Sequence, residues 1–151
     1  MATKLRELHD SDFYAWTLDQ AQALRDLDAA RWNGPLDLSN LAEEVEEFGS
    51  ERRAAIESHL VRIIEHLLKL DHSPATEPRP GWEDSVDRAR TEIDLRLTPT
   101  IRHAVGDSLD MLYRLGRRHA ERGLRAHGES AAAEALPVTC PYTLEELLGE
   151  G

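Results

Sequence analysis

Cysteine, aromatic side chains, basic charge and long oily runs are all scarce in this chain, and each shortage narrows what it can be. The one cysteine, Cys140, excludes an internal disulfide and a cysteine-built zinc cluster. Aromatic residues make up 5% of the 151, so the core has to come from Leu, Ile, Val and Ala, which suits helix packing better than a sheet sandwich. No apolar run approaches the roughly 18 residues that span a bilayer. The stretch Met1 to Asp10 is charged throughout, with no apolar signal core, so the expected location is the cytoplasm. Basic residues number 18 against 29 acidic ones, a formal net charge of −11. A field of that sign repels phosphate backbones and anionic lipid, which argues against membrane attachment and general nucleic-acid binding. Also missing are a glycine-rich phosphate loop, a G-x-S-x-G elbow and any alternating strand pattern of useful length.

What is present is helical periodicity. Ser11 reads as an N-cap with Asp12 in the first turn, followed by Phe13, Trp16, Leu24 and Leu27 and stopped by Asn33-Gly34-Pro35. A second helix from Asp37 or Ser39 draws one apolar stripe through Leu38, Leu41, Val45 and Phe48, with a break or kink expected at Gly49-Ser50. The third and strongest carries Ile56, Leu60, Ile63, Ile64, Leu67 and Leu68, and His72-Ser73-Pro74 ends it. A fourth has Trp82, Val86, Ala89, Ile93 and Leu97. Thr98-Pro99 then restarts a fifth, with Ile101, Val105, Leu109, Leu112, Gly116 and Ala120 as its buried side. Gly116 would admit a close neighbour. Thr143 and Glu146 form a capping box for a last helix, with Tyr142 and Leu147 as its staple.

These elements predict an all-α fold, a helical bundle of four long helices plus a short C-terminal helix. The second and third are expected to run nearly continuously through Gly49. One domain is expected over 1–151, with 1–9 frayed, 72–81 a Pro-rich loop and 123–138 an irregular surface excursion.

Two side-chain sets could carry chemistry. The acidic run Glu43, Glu44, Glu46, Glu47 lies on the second helix, and His59 and His66 share a face of the third. Glu44, Glu47, His59 and His66 on adjacent helices would offer oxygen and nitrogen ligands to a divalent metal. The run Leu41 to Phe48 is also similar to the Glu-Glu-x-x-Glu helix of all-α nucleotide pyrophosphohydrolases of the MazG type. Their second, Glu-x-x-Asp pair is absent here: the third helix reads Glu65-His66-Leu67-Leu68, and Asp107 and Asp110 come two helices later. The plainer reading is that the glutamates are solvated and the histidines pack at the core edge. The second set is a basic stripe, Arg114, Arg118, Arg122 and Arg125, at helical spacing. It would grip a phosphate or an acidic partner, or else lie in solvent or face a second copy. Cys140, in Thr139-Cys140-Pro141, has no base beside it in sequence and reads as a turn residue.

Several segments together carry a resemblance. Asp10-Ser11-Asp12-Phe13-Tyr14-Ala15-Trp16 opens the chain, and Leu38 to Gly49 reads Leu-Ser-Asn-Leu-Ala-Glu-Glu-Val-Glu-Glu-Phe-Gly. Ser50-Glu51-Arg52-Arg53, His66-Leu67-Leu68-Lys69-Leu70, Trp82 and Cys140-Pro141-Tyr142-Thr143 follow. In this order, from about Leu8 to Leu148, they resemble a bacterial family called domain of unknown function 29. The resemblance implies an all-helical bacterial protein and no particular reaction. Glu43, Glu44, Glu47 and His66 match positions of the family pattern, whereas Asp71-His72 and the stretch from Gly123 to Leu136 depart from it.

The function expected from the sequence is protein–protein interaction by a small cytoplasmic helical protein, with a protein partner or a homodimer. The alternative is a metal-dependent helical hydrolase acting on a nucleotide or another phosphorylated small molecule. There Glu44 and Glu47 would be ligands, His59 or His66 a ligand or base, and Arg114 or Arg118 a phosphate clamp.

Overall fold

The computed structural model describes residues 2–150. Met1, in the stretch expected to fray, and Gly151, at the far end of the expected domain, lie outside the described residues. Eight helices and no strand occur among the described residues: α1 (Ala2–Ser11), α2 (Phe13–Ala29), α3 (Leu38–His72), α4 (Arg79–Asp94), α5 (Pro99–Asp107), α6 (Leu109–Ala126), α7 (Ser130–Glu134) and α8 (Leu144–Leu148). None is long and apolar enough to cross a membrane. The chain divides into two compact units. The first holds residues up to Ala55 together with Thr98–His103; the second holds Ile56–Leu97 and the chain from Ala104 onward.

In the first unit, a single carboxylate organises two helix starts. Asp12, not Ser11, is the N-cap of α2: its Oδ1 accepts from the Ala15 N–H at 3.0 Å. Its Oδ2 accepts from both the N–H (2.9 Å) and the hydroxyl (2.7 Å) of Thr100, in the first turn of α5. Ser11 instead ends α1, its hydroxyl donating to the Glu7 carbonyl at 2.8 Å. The expected frayed end is thus helical from Ala2, although no α1 residue is buried. Burial alone would push the Asp12 carboxyl up. The hydrogen bonds from Ala15, Thr100 and Thr98 outweigh it and hold the group below its ordinary value.

The second and third expected helices do run on through Gly49, without the expected break, as one α3 of 35 residues. A Cβ on Gly49 would stand 2.2 Å from the Thr17 hydroxyl oxygen and 3.3 Å from the Tyr14 ring. The glycine is there because α2 crosses at that point. The same contact decides which face of α3 is covered. Leu38, Ala42 and Gly49 are buried, while Leu41 and Phe48 from the expected stripe are 39% and 60% exposed. The small side chains admit α2, and two of the large ones point to solvent.

In the second unit, the rest of α3 presents Ile56, Leu60, Ile63, Ile64 and Leu68 as a buried face. Gly116 of α6 lets this face approach: its Cβ would fall 2.5 Å from Ile64 Cγ2 and 3.0 Å from the Val61 carbonyl oxygen. The expected fifth helix is two helices, α5 and α6, interrupted at Ser108 (φ −98°, ψ 9°). The Pro-rich loop is shorter than expected because α4 begins at Arg79, with Pro80 in its first turn, where a missing N–H is harmless. The 123–138 stretch is not a surface excursion. α6 reaches Ala126, and α7 buries Ala132 and Ala133. The Pro137 carbonyl accepts from the Tyr113 hydroxyl (2.5 Å) and Arg117 Nε (2.9 Å). The capping box forms as expected, the Glu146 N–H donating to Thr143 Oγ1 at 3.1 Å. Arg90 closes the other end of α8, donating to the Leu147 and Glu146 carbonyls at 3.0 and 2.9 Å.

Two stability measurements check this account. Asp12→Ala removes one cap and leaves the Thr100 N–H unpaired, so urea unfolding should show a loss of about 2–4 kcal/mol. Gly116→Ala gains about 1 kcal/mol of helix propensity but overpacks against Ile64 and a backbone carbonyl. The clash wins, and the expected net loss is about 1–2 kcal/mol. A more stable Gly116→Ala protein would show that α3 and α6 do not meet there.

Candidate functional site

α3 carries all four residues expected at a metal centre. Glu44 and Glu47 are exposed on its first half, and His59 and His66 are partly buried on its second. On one continuous helix rising about 1.5 Å per residue, Glu47 and His59 are separated by about 18 Å along the axis. The adjacent-helix arrangement expected from the sequence therefore does not bring the carboxylates to the imidazoles. Among the described residues, no group of three or more His, Cys, Asp or Glu side chains could hold a metal ion. Asp107 and Asp110 lie exposed on either side of the Ser108 break.

The two histidines have their own surroundings. His59 faces Glu92, Arg62 and Arg96. Burial lowers its pKa, the Glu92 charge opposes the shift, and the two arginines reinforce it. His66 is more enclosed. Burial is again the main cause of a lowered pKa, opposed by Glu65 and reinforced by Lys69 and Arg62. Its Nε2 lies 3.8 Å from Glu65, and its Nδ1 is buried without a hydrogen-bond partner among the described residues. In both, burial favours the neutral imidazole. The Cys140 thiol is held toward its neutral form: burial chiefly raises its pKa, the Asp110 and Glu146 charges adding to it, and its Sγ donates to the Tyr142 carbonyl at 3.3 Å. The Tyr142 hydroxyl donates to Asp71 at 2.6 Å, which gives the departure at Asp71 a local role.

The basic stripe is realised on the outward side of α6. Leu112, Tyr113, Gly116, Ala120 and Leu124 are buried, and Arg114, Arg118, Arg122 and Arg125 are exposed. On a helical wheel the four guanidiniums fall within an arc of about 80° that also holds Met111. Leu115 lies beside it. Met111 and Leu115 are 45% and 37% exposed, and the sequence reading did not single out either as a surface residue. Arg125 is held by Glu121 at 3.2 Å; Arg114, Arg118 and Arg122 have no ion pair among the described residues.

The outward side of α3 is its chemical opposite. Glu47, Glu51, Glu44, Phe48 and Leu41 fall within an arc of about 120°. The three glutamates are exposed and without ion pairs among the described residues. Glu46, round the helix, is taken by Arg25. Leu41 and Phe48 are apolar yet exposed, so apolar character alone does not mark the covered face. The signal that could have found it is Ala42 and Gly49, two small residues one heptad apart.

The histidines set a pH dependence. Their folded pKa values lie below the ordinary 6.5. On acidification the unfolded chain therefore takes up protons first. Their contribution to stability is complete above about pH 6.5 and is lost as pH falls toward the folded values. The urea midpoint should drop between pH 7 and 5, and His66→Gln should flatten that slope. Parallel curves for the two proteins would show that His66 titrates as if free.

Comparison with known proteins gives the chain its relatives. An alpha-helical protein of unknown function from Rhodospirillum rubrum, known from its crystal structure, superposes with a TM-score of 0.80 at 23% identity. The match covers 94% of this chain and 89% of that one, and it shows the same all-α fold. No curated protein matches. The family model described as "Domain of unknown function DUF29" matches residues 8–151, nearly the whole length, and the chain belongs to that family.

Proposed function

We propose that the chain is a non-enzymatic interaction protein that works through the outward arginine face of α6, and that a second copy of the chain occupies this face. The observation that carries this reading is the exposed grouping of Arg114, Arg118 and Arg122 with Met111 and Leu115 on a chain of net charge −11. Guanidiniums without partners beside exposed apolar side chains fit an acidic amphipathic surface better than a bare phosphate backbone. Phosphate would leave Met111 and Leu115 unmatched, and the net charge repels it. No aromatic side chain interleaves with the arginines for base stacking. A membrane fits poorly as well, because the apolar side of α6 is already buried in the second unit.

The outward face of α3 has the required chemistry: Glu44, Glu47 and Glu51 beside Leu41 and Phe48. Two copies share a net negative charge, yet salt screens that repulsion beyond about 8 Å, while guanidinium–carboxylate contacts at hydrogen-bond distance survive. Each exposed pair contributes only about 0.2–1 kcal/mol. Association is therefore weak, set largely by how well Phe48 and Leu41 cover Met111 and Leu115.

Sedimentation equilibrium across concentration and ionic strength tests the reading. The wild-type chain should self-associate, less so at high salt, and Arg118→Glu and Glu44→Arg should each abolish assembly. Mixing the two variants restores one wild-type contact, α3 of the first against α6 of the second, so a one-to-one complex should reappear. A monomeric wild type at several hundred micromolar, or variants that do not pair on mixing, would overturn it.

A further inference from the structure

The second unit contains a cavity of about 850 Å³ among the C-terminal end of α3, the loop to α4, the start of α4 and the end of α6. Its walls include Lys69, Pro78, Trp82, Gly123, His127 and Glu129. The size lies within the range of small-molecule sites, and none of these residues takes part in the helix faces described above.

The Lys69 ammonium is the unusual feature. Its side chain is only 13% exposed, and among the described residues it donates to one acceptor, Glu65, at 2.8 Å. It also stands 5.9 Å from the centre of the Trp82 ring, within reach of a cation–π attraction. An ammonium has three donors, so two remain for a guest. The lysine occupies this place because residue 123 has no side chain: a Cβ there would stand 2.7 Å from Nζ and 2.9 Å from Cε. Glycine inside a helix lowers its stability relative to alanine. At Gly116 a helix crossing accounts for the glycine. At Gly123 the atoms a Cβ would meet are the tip of one flexible side chain.

The walls are fixed in advance. The Ser73 hydroxyl donates to Glu129 and accepts from the Ala75 N–H at 3.2 Å. Arg79 Nη1 donates to the Leu70 carbonyl at 2.8 Å, which pins the loop at its base. A site whose loop is already held has less ordering entropy to lose on binding.

We infer that this cavity binds a small organic monoanion, a carboxylate with a flat apolar body: the carboxylate on Lys69 beside Gly123, and the flat body against Trp82. One ammonium shared with Glu65 suits a single negative charge. Glu77 and Glu129 in the walls, and the net charge of the chain, oppose a second one. Trp82 and the prolines at 74 and 78 provide the apolar surface.

The test uses the full ¹⁵N-labelled chain and three probes, benzoate, phenylacetate and indole-3-acetate, each against its neutral amide. At least one acid should shift the Trp82, Gly123 and His127 signals saturably, and its amide should bind roughly tenfold more weakly, the loss of one charge-assisted hydrogen bond. Lys69→Met should remove the difference between acid and amide. Because that variant leaves Glu65 without its lysine and could unfold, Gly123→Ala is the second probe. It should raise Tm by about 2–4 °C through helix propensity and yet weaken the acid roughly tenfold by displacing the ammonium. The inference is overturned if no acid binds, if amides bind as tightly as acids, or if Gly123→Ala leaves affinity unchanged.

Discussion

The first unit depends on a buried carboxylate with both oxygens engaged. Asp12 caps α2 through Ala15 and, with its other oxygen, accepts two hydrogen bonds from Thr100 at the start of α5. A helix N-terminus presents unpaired N–H groups and a partial positive charge, so one anion can serve two such ends when the chain brings them together. This joins residues 88 positions apart in sequence. It explains why Thr98–His103 belongs with the N-terminal helices rather than with the segments on either side of it. Thr98 contributes locally, its hydroxyl accepting from the Ile101 N–H at 3.2 Å, and Ile101 is fully buried. The polar link thus fixes where an apolar side chain enters the core.

Three helix-interior glycines show how far packing overrides propensity. Gly49 clears Thr17 and Tyr14, Gly116 clears Ile64 and the Val61 carbonyl, and Gly123 clears the Lys69 side chain. Each lowers intrinsic helix stability by about 1 kcal/mol relative to Ala. For the first two the return is direct, because a closer approach buries more of the facing side chains. Gly123 frees only the end of a lysine, and that difference separates a packing notch from a built cavity wall.

Much of the fold was legible because it is periodic. The wide stripe from Ile56 to Leu68 and the capping box at Thr143 are local patterns, and both formed where the sequence placed them. The failures came where a local signal has two meanings. Gly49 reads as a break or kink in a nearly continuous helix; the continuity holds, and the glycine serves a crossing helix. Ser11 and Asp12 are both good N-caps, and Thr100, far along the chain, decided between them. Leu41 and Phe48 fit the helical period as well as Ala42 does. The period fixes only that residues share a face, and α2 determined which face is covered. The arginine stripe was legible, being a property of one helix. The metal set was not, because it treated the two segments as packed side by side, whereas along one helix Glu47 and His59 are 12 residues apart. Lys69 and Trp82 stand among the segments that carry the family resemblance, but their meeting with Gly123 was not legible, since it joins three helices through tertiary contact alone.

The same distinction shows which charges are available for recognition. Arg79, Arg90 and Arg117 are used on carbonyls at helix and loop ends. Arg25 and Arg96 are used on carboxylates. Arginine suits these tasks because its planar fork can donate to more than one acceptor. Arg114, Arg118 and Arg122 have the same fork, but they are exposed and without such partners among the described residues. Solvated, they contribute little to folding, so the fold does not require a cluster of them beside Met111 and Leu115. Removing that much positive charge would leave the chain still more acidic and equally well packed. What the cluster does supply is a local reversal of sign, whose geometry α6 keeps rigid through its buried side. In the proposed self-association, this reversal on a chain of net charge −11 is what would select a partner surface that is itself acidic and has apolar side chains to offer.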